Sequence, residues 1–149
     1  MQKTRYASQI SSTGFETLSE LQVVAVVGQG AFARVALVRH RQTAGVYALK
    51  KIDRAKVGEG HVRKQIMNER FVMGDVDHPF IARLHTTFKT ALSLFMVVEP
   101  CLGGELFTRM TKGGRLKCKD ASYYVAMVAS ALGFLSARHI AHRDLKLEN

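Results

Sequence analysis

The chain has 149 residues, of which 47% are apolar and 23% are charged. This length and balance indicate one domain or two small lobes with a folded core, and they exclude a disordered or collagen-like protein. The net charge of +10 would suit a nucleic acid, a membrane surface or an anionic ligand such as a nucleotide. The basic residues are scattered, however, so solvated faces account for most of them. The two cysteines, Cys101 and Cys118, lack the spacing of metal ligands, and we expect reduced thiols in a cytoplasmic protein.

The first 99 residues predict a sheet with one helix. Residues 1–20 are rich in serine and threonine and lack the apolar stretch of a signal peptide, so we interpret them as a leader or linker. A helix is predicted over residues 60–75, where apolar residues recur with a period of about 3.6, and Pro79 lies beyond its end. Apolar runs of suitable length predict strands at Leu21–Val27, Val35–Val38, Val46–Leu49, Ile81–Phe88 and Leu92–Val98.

The later residues predict helices. A short helix is expected at Glu105–Thr111 and a long one at Lys119–Arg138. Residues 121–137 carry no charge, but they include three serines and a glycine and only just reach the roughly 17–25 residues that span a bilayer. We therefore expect a buried core helix and no membrane span. The predicted fold is α+β, with a leader at 1–20, an antiparallel five-stranded sheet plus one helix at 21–99, and the start of a mainly helical lobe at 100–149.

A glycine-rich segment runs from Gly28 to Val35. Glycines let the backbone approach phosphate oxygens closely, with amide hydrogens pointing at them. Taken alone, the segment would also fit a dinucleotide-binding fingerprint with Asp53 as its distal acid, or a plain tight turn. That fingerprint requires a helix directly after the glycines, whereas Arg34–His40 is rich in strand formers. The sequence therefore favours a hairpin that folds over phosphates.

Lys50 directly follows a predicted strand. Strand alternation places it on the same face as Val46 and Ala48. A lysine on an apolar face needs an anion, and the candidates are Glu69 on the predicted helix and a bound phosphate. The alternative is that the side chain snorkels to solvent.

The segment His142–Asn149 carries the most specific pattern, His-Arg-Asp-Leu-Lys-Leu-Glu-Asn. Its aspartate, lysine and asparagine are spaced so that they can converge in one loop. Asp144 can take a hydroxyl proton, Lys146 can neutralise a transferring phosphoryl group and Asn149 can bind a metal ion. This spacing matches the catalytic loop of protein kinases.

From Leu21 to Asn149 the sequence resembles the catalytic domain of eukaryotic protein kinases, and especially the AGC group that contains the cyclic-nucleotide-dependent kinases. The segment Glu99–Leu106 is similar to the hinge of cGMP-dependent kinases. Three shorter segments point to the same group: Asn68-Glu69-Arg70, His78-Pro79-Phe80 and Thr87-Phe88-Lys89. The resemblance implies a kinase N-lobe at 21–99, followed by the hinge and the first part of a helical C-lobe that ends in the catalytic loop.

The resemblance also implies an ATP site. Lys50 would hold the α- and β-phosphates and pair with Glu69. Val98 would guard the back of the adenine pocket, while Glu99 and Cys101 would offer backbone hydrogen bonds to the base. Ala48 and Val35 would sandwich the adenine ring. The loop over the phosphates would comprise Gly28, Gln29, Gly30, Ala31, Phe32, Ala33 and Val35.

The resemblance further implies phosphoryl transfer. Asp144 would accept the proton of the substrate hydroxyl, Lys146 would contact the γ-phosphate as in Ser/Thr kinases, and Asn149 would bind Mg²⁺. Glu105 would meet the ribose or a substrate arginine, or else it is simply an acid at a helix N-terminus. We therefore expect ATP and Mg²⁺ as cofactors, protein substrates with serine or threonine acceptors near basic residues, and no nucleic-acid partner.

Three features depart from the family pattern. Ala33 replaces the third glycine, which we expect to reduce the mobility of the loop, and Leu147 replaces a proline. The 149 residues contain no Asp-Phe-Gly segment, whose aspartate is a principal magnesium ligand, so we expect no kinase activity from this chain alone. The alternative function is a non-catalytic, truncated kinase-like module that binds nucleotide or a partner, although the retention of Lys50 and Asp144 argues against it.

Overall fold

The computed structural model describes residues 14–30, 33–57 and 60–148. These residues form two compact units, which we describe separately. The sheet unit consists of the described residues up to Val76 together with Ala82–Pro100. The helical unit consists of Asp77–Ile81 and the described residues from Cys101 onward.

Five antiparallel strands and two helices make up the sheet unit. The strands are β1 (Leu21–Gln29), β2 (Ala33–His40), β3 (Val46–Asp53), β4 (Leu84–Lys89) and β5 (Ser93–Val98), and the helices are α1 (Arg54–Val57) and α2 (His61–Asp75). The strand order is β1-β2-β3-β5-β4, which confirms the predicted antiparallel sheet. The short α1 was not predicted, and β4 begins at Leu84 rather than at Ile81. Because β2 follows the glycines and pairs antiparallel with β1, the dinucleotide-binding alternative is excluded.

The two faces of the sheet differ in composition. Cross-strand partners in an antiparallel sheet lie on the same face, and successive residues alternate between faces. The front face, as we call it, carries Val35, Leu37, Ala48, Lys50, Met96 and Val98. The back face carries Ala36, Val38, Tyr47, Leu49, Phe95 and Val97. The main hydrophobic cluster of the sheet unit lies on the back face, where Val38 and Val97 are fully buried.

The residues just before β1 also pack on the back face. Phe15 and Leu18 contact its hydrophobic cluster, and a 3-10 turn spans Leu18–Glu20. The backbone N–H of Arg41 donates to the carbonyl oxygen of Glu20 at 2.8 Å, which fastens this segment to the end of β2. The leader interpretation of residues 1–20 did not predict this attachment, and residues 1–13 lie outside the described residues.

Two helices, α3 (Leu106–Gly113) and α4 (Cys118–Ser136), form most of the helical unit. The predicted short and long helices are both present, with ends shifted by one or two residues. The loop at Asp77–Ile81 joins this unit through His78, whose Nε2 lies 3.2 Å from Ser130 Oγ and whose ring lies 4.9 Å from that of Phe134.

Helix α4 is less buried than its sequence suggested. Leu135 is its one buried residue, whereas Tyr123 is 68% exposed and Val125 is 67% exposed. The expectation of a buried core helix is therefore wrong for the described part of the chain. Its apolar composition gives the helix the capacity for burial, but burial also needs a second surface, and no described element covers this face. Among the described residues no helix is long and apolar enough to cross a membrane.

Candidate functional site

The glycine-rich segment forms the closed end of the β1–β2 hairpin. Gly28 lies opposite Val35 in register, and the backbone N–H of Gly30 donates to the carbonyl oxygen of Ala33 at 2.8 Å. Gln29 pairs with Arg34, whose guanidinium donates to the Gln29 side chain at 3.4 Å. The predicted loop residues Ala31 and Phe32 lie outside the described residues.

Packing among the described residues does not itself demand glycine at positions 28 and 30. A Cβ added to Gly28 would meet Val35 Cβ at 3.7 Å, and one added to Gly30 would meet the carbonyl oxygen of Ala33 at 3.7 Å. Both are ordinary van der Waals contacts, and neither glycine has a positive φ. The absence of a side chain at these positions therefore leaves room beside the hairpin rather than relieving strain within it.

Lys50 and Glu69 meet on the front face. The Lys50 ammonium donates to Glu69 Oε1 at 2.5 Å, and the two side chains are 30% and 39% exposed. Strand β3 aims the lysine, and helix α2 supplies the glutamate, so the pair joins two elements of the sheet unit. At this exposure such a pair contributes about 0.2–1 kcal/mol to folding. The remaining open face of the ammonium leaves it able to contact an anionic ligand as well.

An apolar surface adjoins Lys50 on the same face. Val35 pairs with Lys50 in register, and Ala48 pairs with Val98. All three apolar side chains are half-buried, so a flat apolar ring could still reach them. The structure thus brings together, within the sheet unit, an apolar surface, a lysine and a glycine hairpin.

Glu99 is anchored at the end of this surface. Its backbone N–H donates to the carbonyl oxygen of Arg83 at 2.8 Å, and its Oε2 accepts the backbone N–H of Arg83 at 3.3 Å. The backbone N–H of Glu99 is therefore already used. Its carbonyl oxygen is the backbone group that it can offer to an adenine.

In the helical unit, Cys101 is an exposed free thiol and Glu105 occupies the N-cap position of α3. Glu105 Oε2 accepts a hydrogen bond from the Thr108 hydroxyl at 3.3 Å. The Glu105 side chain makes no capping hydrogen bond, so its position alone supports the alternative of an acid at a helix N-terminus.

The catalytic-loop residues lie in an irregular, exposed segment after α4. Lys146 Nζ lies 3.0 Å from Asp144 Oδ2, and the aspartate side chain is 67% exposed. The backbone N–H of Asp144 approaches His142 Nδ1 at 3.4 Å, and Leu147 accepts the backbone N–H of Phe107 at 2.9 Å. The carboxylate is thus paired with a cation while much of its side chain remains exposed.

A magnesium site is not assembled from the described residues alone. Asn149 lies outside them, and no cluster of three His, Cys, Asp or Glu side chains able to hold a metal ion occurs within them.

A separate cavity of about 710 Å³ lies against α2 on its side nearer β4 and β5. It combines apolar side chains such as Met67 and Leu94 with the cations of Arg54, Arg70 and Lys89. Neither Lys50 nor Glu69 lines it. This cavity was not predicted from the sequence, although the mixture of basic and apolar residues along α2 is the signal that could have indicated it.

Comparison with known proteins agrees with this geometry. A family model described as the protein kinase domain matches residues 21–149. A cGMP-dependent protein kinase of Toxoplasma gondii is 44% identical over 130 residues, which is 87% of this chain and 13% of that protein. The 3-phosphoinositide-dependent protein kinase 1 of Arabidopsis thaliana is 36% identical over 124 residues (83% of this chain, 25% of the relative), and the serine/threonine-protein kinase Sgk1 of Rattus norvegicus is 38% identical over 132 residues (88% and 31%).

The chain belongs to the protein kinase family. Its relatives include cGMP-dependent kinases and other kinases of the AGC group, which confirms the resemblance read from the motifs. The chain spans only 13–31% of the length of the three relatives named above.

Proposed function

We propose that the native polypeptide that carries this chain transfers the γ-phosphoryl group of ATP to serine or threonine hydroxyls of proteins. The observation that carries the proposal is the Lys50–Glu69 pair, which lies on the same sheet face as the apolar residues Val35, Ala48 and Val98. This arrangement fits a ligand with a flat apolar ring joined to an anionic chain. A nucleoside triphosphate has this form.

The glycine positions support the same ligand. Because the described residues demand no glycine at positions 28 and 30, the missing side chains are best explained by the close approach of phosphate oxygens to backbone amides. The apolar residues would receive the adenine, with the Glu99 carbonyl and the Cys101 backbone as hydrogen-bonding partners. ATP bound with Mg²⁺ supplies the transferable phosphoryl group, and the metal offsets part of its negative charge.

The catalytic-loop residues would perform the proton and charge chemistry. The substrate hydroxyl oxygen forms a bond to the γ-phosphorus, the bond from that phosphorus to the bridging oxygen breaks, and ADP leaves with the electron pair. Asp144 accepts the hydroxyl proton, and Lys146 offsets charge on the transferring group. Asn149 is the proposed metal ligand of this loop.

Further parts of the proposal concern setting and partners. We place the protein in the cytoplasm and infer substrates with basic residues near the acceptor, for which Glu105 is the candidate contact. We propose that residues 1–149 alone bind nucleotide without transferring phosphate, because they contain no Asp-Phe-Gly segment. The alternative is a non-catalytic module that keeps nucleotide or partner binding.

The direct test is phosphate transfer from radiolabelled ATP to a serine peptide by the full-length native polypeptide. Asp144→Asn should lower kcat by about a hundredfold or more while leaving ATP affinity nearly unchanged, because it removes a general base. Glu148→Gln, an exposed carboxylate in the same loop, is the matched control and should retain activity. Wild-type protein that binds ATP but transfers no phosphate would favour the non-catalytic module.

A further inference from the structure

The segment at residues 14–20, called here the N-terminal strap, places one aromatic ring behind the nucleotide face. The Phe15 ring lies 5.3 Å from the ring of His40 and 4.9 Å from that of Tyr47, both nearly perpendicular to it. It also lies 6.3 Å from the ring of His85, which in turn packs edge-on against Tyr47 at 5.0 Å. We call the rings of His40, Tyr47 and His85 the aromatic cage.

The cage residues come from three different strands. His40 ends β2, Tyr47 lies in β3, and His85 lies in β4 at a register shift between Leu84 and Thr86. A bulge changes the direction of the side chain of its extra residue. This change explains how His85 of β4 reaches the other cage rings on the back face. Because β5 lies between β3 and β4, the three rings that Phe15 contacts come from a block of four adjacent strands.

Polar contacts hold the strap beside the cage. Glu20 Oε2 accepts the backbone N–H of Glu16 at 3.0 Å and lies 3.5 Å from His40 Nε2. His40 Nδ1 accepts the backbone N–H groups of Gln42 at 3.3 Å and Thr43 at 3.2 Å, and its Nε2 faces Glu20 without a hydrogen bond among the described residues. His40 is 2% exposed, and it therefore joins the strap to the β2–β3 turn away from solvent.

The strap is also joined to the elements that carry the proposed nucleotide residues. β1 begins at Leu21, directly after the strap, and Leu21 pairs with His40 at the open end of the glycine hairpin. Tyr47 of the cage is followed by Ala48, and the same β2–β3 pair carries Lys50 on the front face. When the open end of a hairpin is fixed, its closed end can adopt fewer positions. This preorganisation lowers the entropic cost of binding a ligand at the closed end.

We propose that Phe15 is a positioning residue for the nucleotide site. By filling the aromatic cage it fixes the open end of the glycine hairpin and the strand that carries Lys50, so that docking of the strap sets the affinity for the nucleotide. This inference rests on the proposed function. Phe15 itself touches the back face and has no contact with the nucleotide.

The test compares Phe15→Ala with Phe15→Tyr, which restores an aromatic ring, and with Ser19→Ala, an exposed strap position outside the cage. In the full-length native polypeptide, Phe15→Ala should raise the KM for ATP about fivefold and leave kcat within about twofold of the wild type. The reason is that the substitution removes the preorganisation of the glycine hairpin and leaves the reacting groups unchanged. Hydrogen exchange at the amides of Gln42 and Thr43 should quicken in the same variant. The other two variants should match the wild type in both measurements.

Three outcomes would overturn the inference. Unchanged KM and exchange in Phe15→Ala would show that the cage does not position the hairpin. A fall in kcat and thermal stability with unchanged KM would show that Phe15 is merely part of the core. Wild-type protein that binds no ATP would overturn the proposed function and this inference with it. If the wild type binds ATP and Phe15→Ala binds it equally well, only this inference is overturned.

Discussion

The ammonium group of Lys50 lies 2.5 Å from Glu69 Oε1, which ties strand β3 to helix α2 on the front face of the sheet. The ion pair holds the lysine in one place but does not cover its side chain completely, since that side chain remains 30% exposed. A lysine held in this way is ready to meet an anionic group. The proposed nucleotide site depends on this relationship more than on any other contact.

Glu69→Gln should therefore impair activity much more than it impairs folding. We expect kcat/KM for ATP to fall by about tenfold or more, since the lysine loses the charge partner that orients it. The free energy of unfolding should change by less than about 1 kcal/mol, because the pair is partly exposed. Steady-state kinetics and urea unfolding measure the two effects, with Asp75→Asn on the same helix as the control. If the loss of unfolding free energy were as large as the loss in kcat/KM converted to free energy, the proposed role of Glu69 in orienting Lys50 would be contradicted.

Gly28→Ala and Gly30→Ala test whether the glycines make room for a ligand. Each added methyl group meets only ordinary contacts within the chain, so the unfolding free energy should stay within about 0.5 kcal/mol of the wild type. The KM for ATP should nevertheless rise, because the methyl group stands where phosphate oxygens approach the backbone. Unchanged KM in both variants would mean that the hairpin is a plain tight turn.

Met96→Ala tests the packing of strand β5, which lies between β3 and β4. Met96 is fully buried, and its truncation leaves a cavity, so we expect a loss of about 2–5 kcal/mol in the free energy of unfolding. The matched variant Met67→Ala, at a side chain that is 46% exposed, should lose less than about 1 kcal/mol. Urea unfolding measures both. Similar losses in the two variants would show that the assigned burial is wrong.

His85 should make stability depend on pH. Burial lowers the pKa of His85 below its ordinary value of 6.5, the charge of Arg83 acts in the same direction, and Glu99 opposes them. The unfolded chain therefore binds a proton at a pH where the folded chain does not. The free energy of unfolding consequently falls as the pH drops below about 6.5 and is fully retained above it. His85→Gln should flatten this part of the pH profile, whereas an identical profile in wild type and variant would contradict the assignment.

The sequence predicted the sheet well because its strands are local apolar runs with alternating faces. Strand alternation predicted that Lys50 and Ala48 share a face, and both lie on the front face. The strand that follows the glycines excluded a dinucleotide-binding fold. The pairing of Lys50 with Glu69 was accessible for a different reason. The predicted helix offered Glu69 as one candidate partner for the lysine beside a bound phosphate, and the family resemblance selected the glutamate.

Other features depend on contacts between distant residues and left no local signal. Phe15 is one of two aromatic residues in the serine- and threonine-rich first 20 residues, and its partner His85 lies 70 positions further along the chain. The exposure of α4 was missed for the opposite reason. Its apolar sequence indicated a capacity for burial, but burial is decided by whether another surface covers it, as the exposed Val125 shows.

The measurement that tests the central claim most directly is titration of the full-length native polypeptide with MgATP, comparing Lys50→Met with Lys51→Met. The two lysines are neighbours in β3 but lie on opposite faces, and Lys51 Nζ lies 5.9 Å from the centroid of the Phe95 ring on the back face. We expect Lys50→Met to weaken ATP binding by about tenfold or more, since it would remove the proposed charged contact to phosphate, and Lys51→Met to leave binding within about twofold of the wild type. Equal effects of the two substitutions, or no ATP binding by the wild type, would contradict a nucleotide site on the front face.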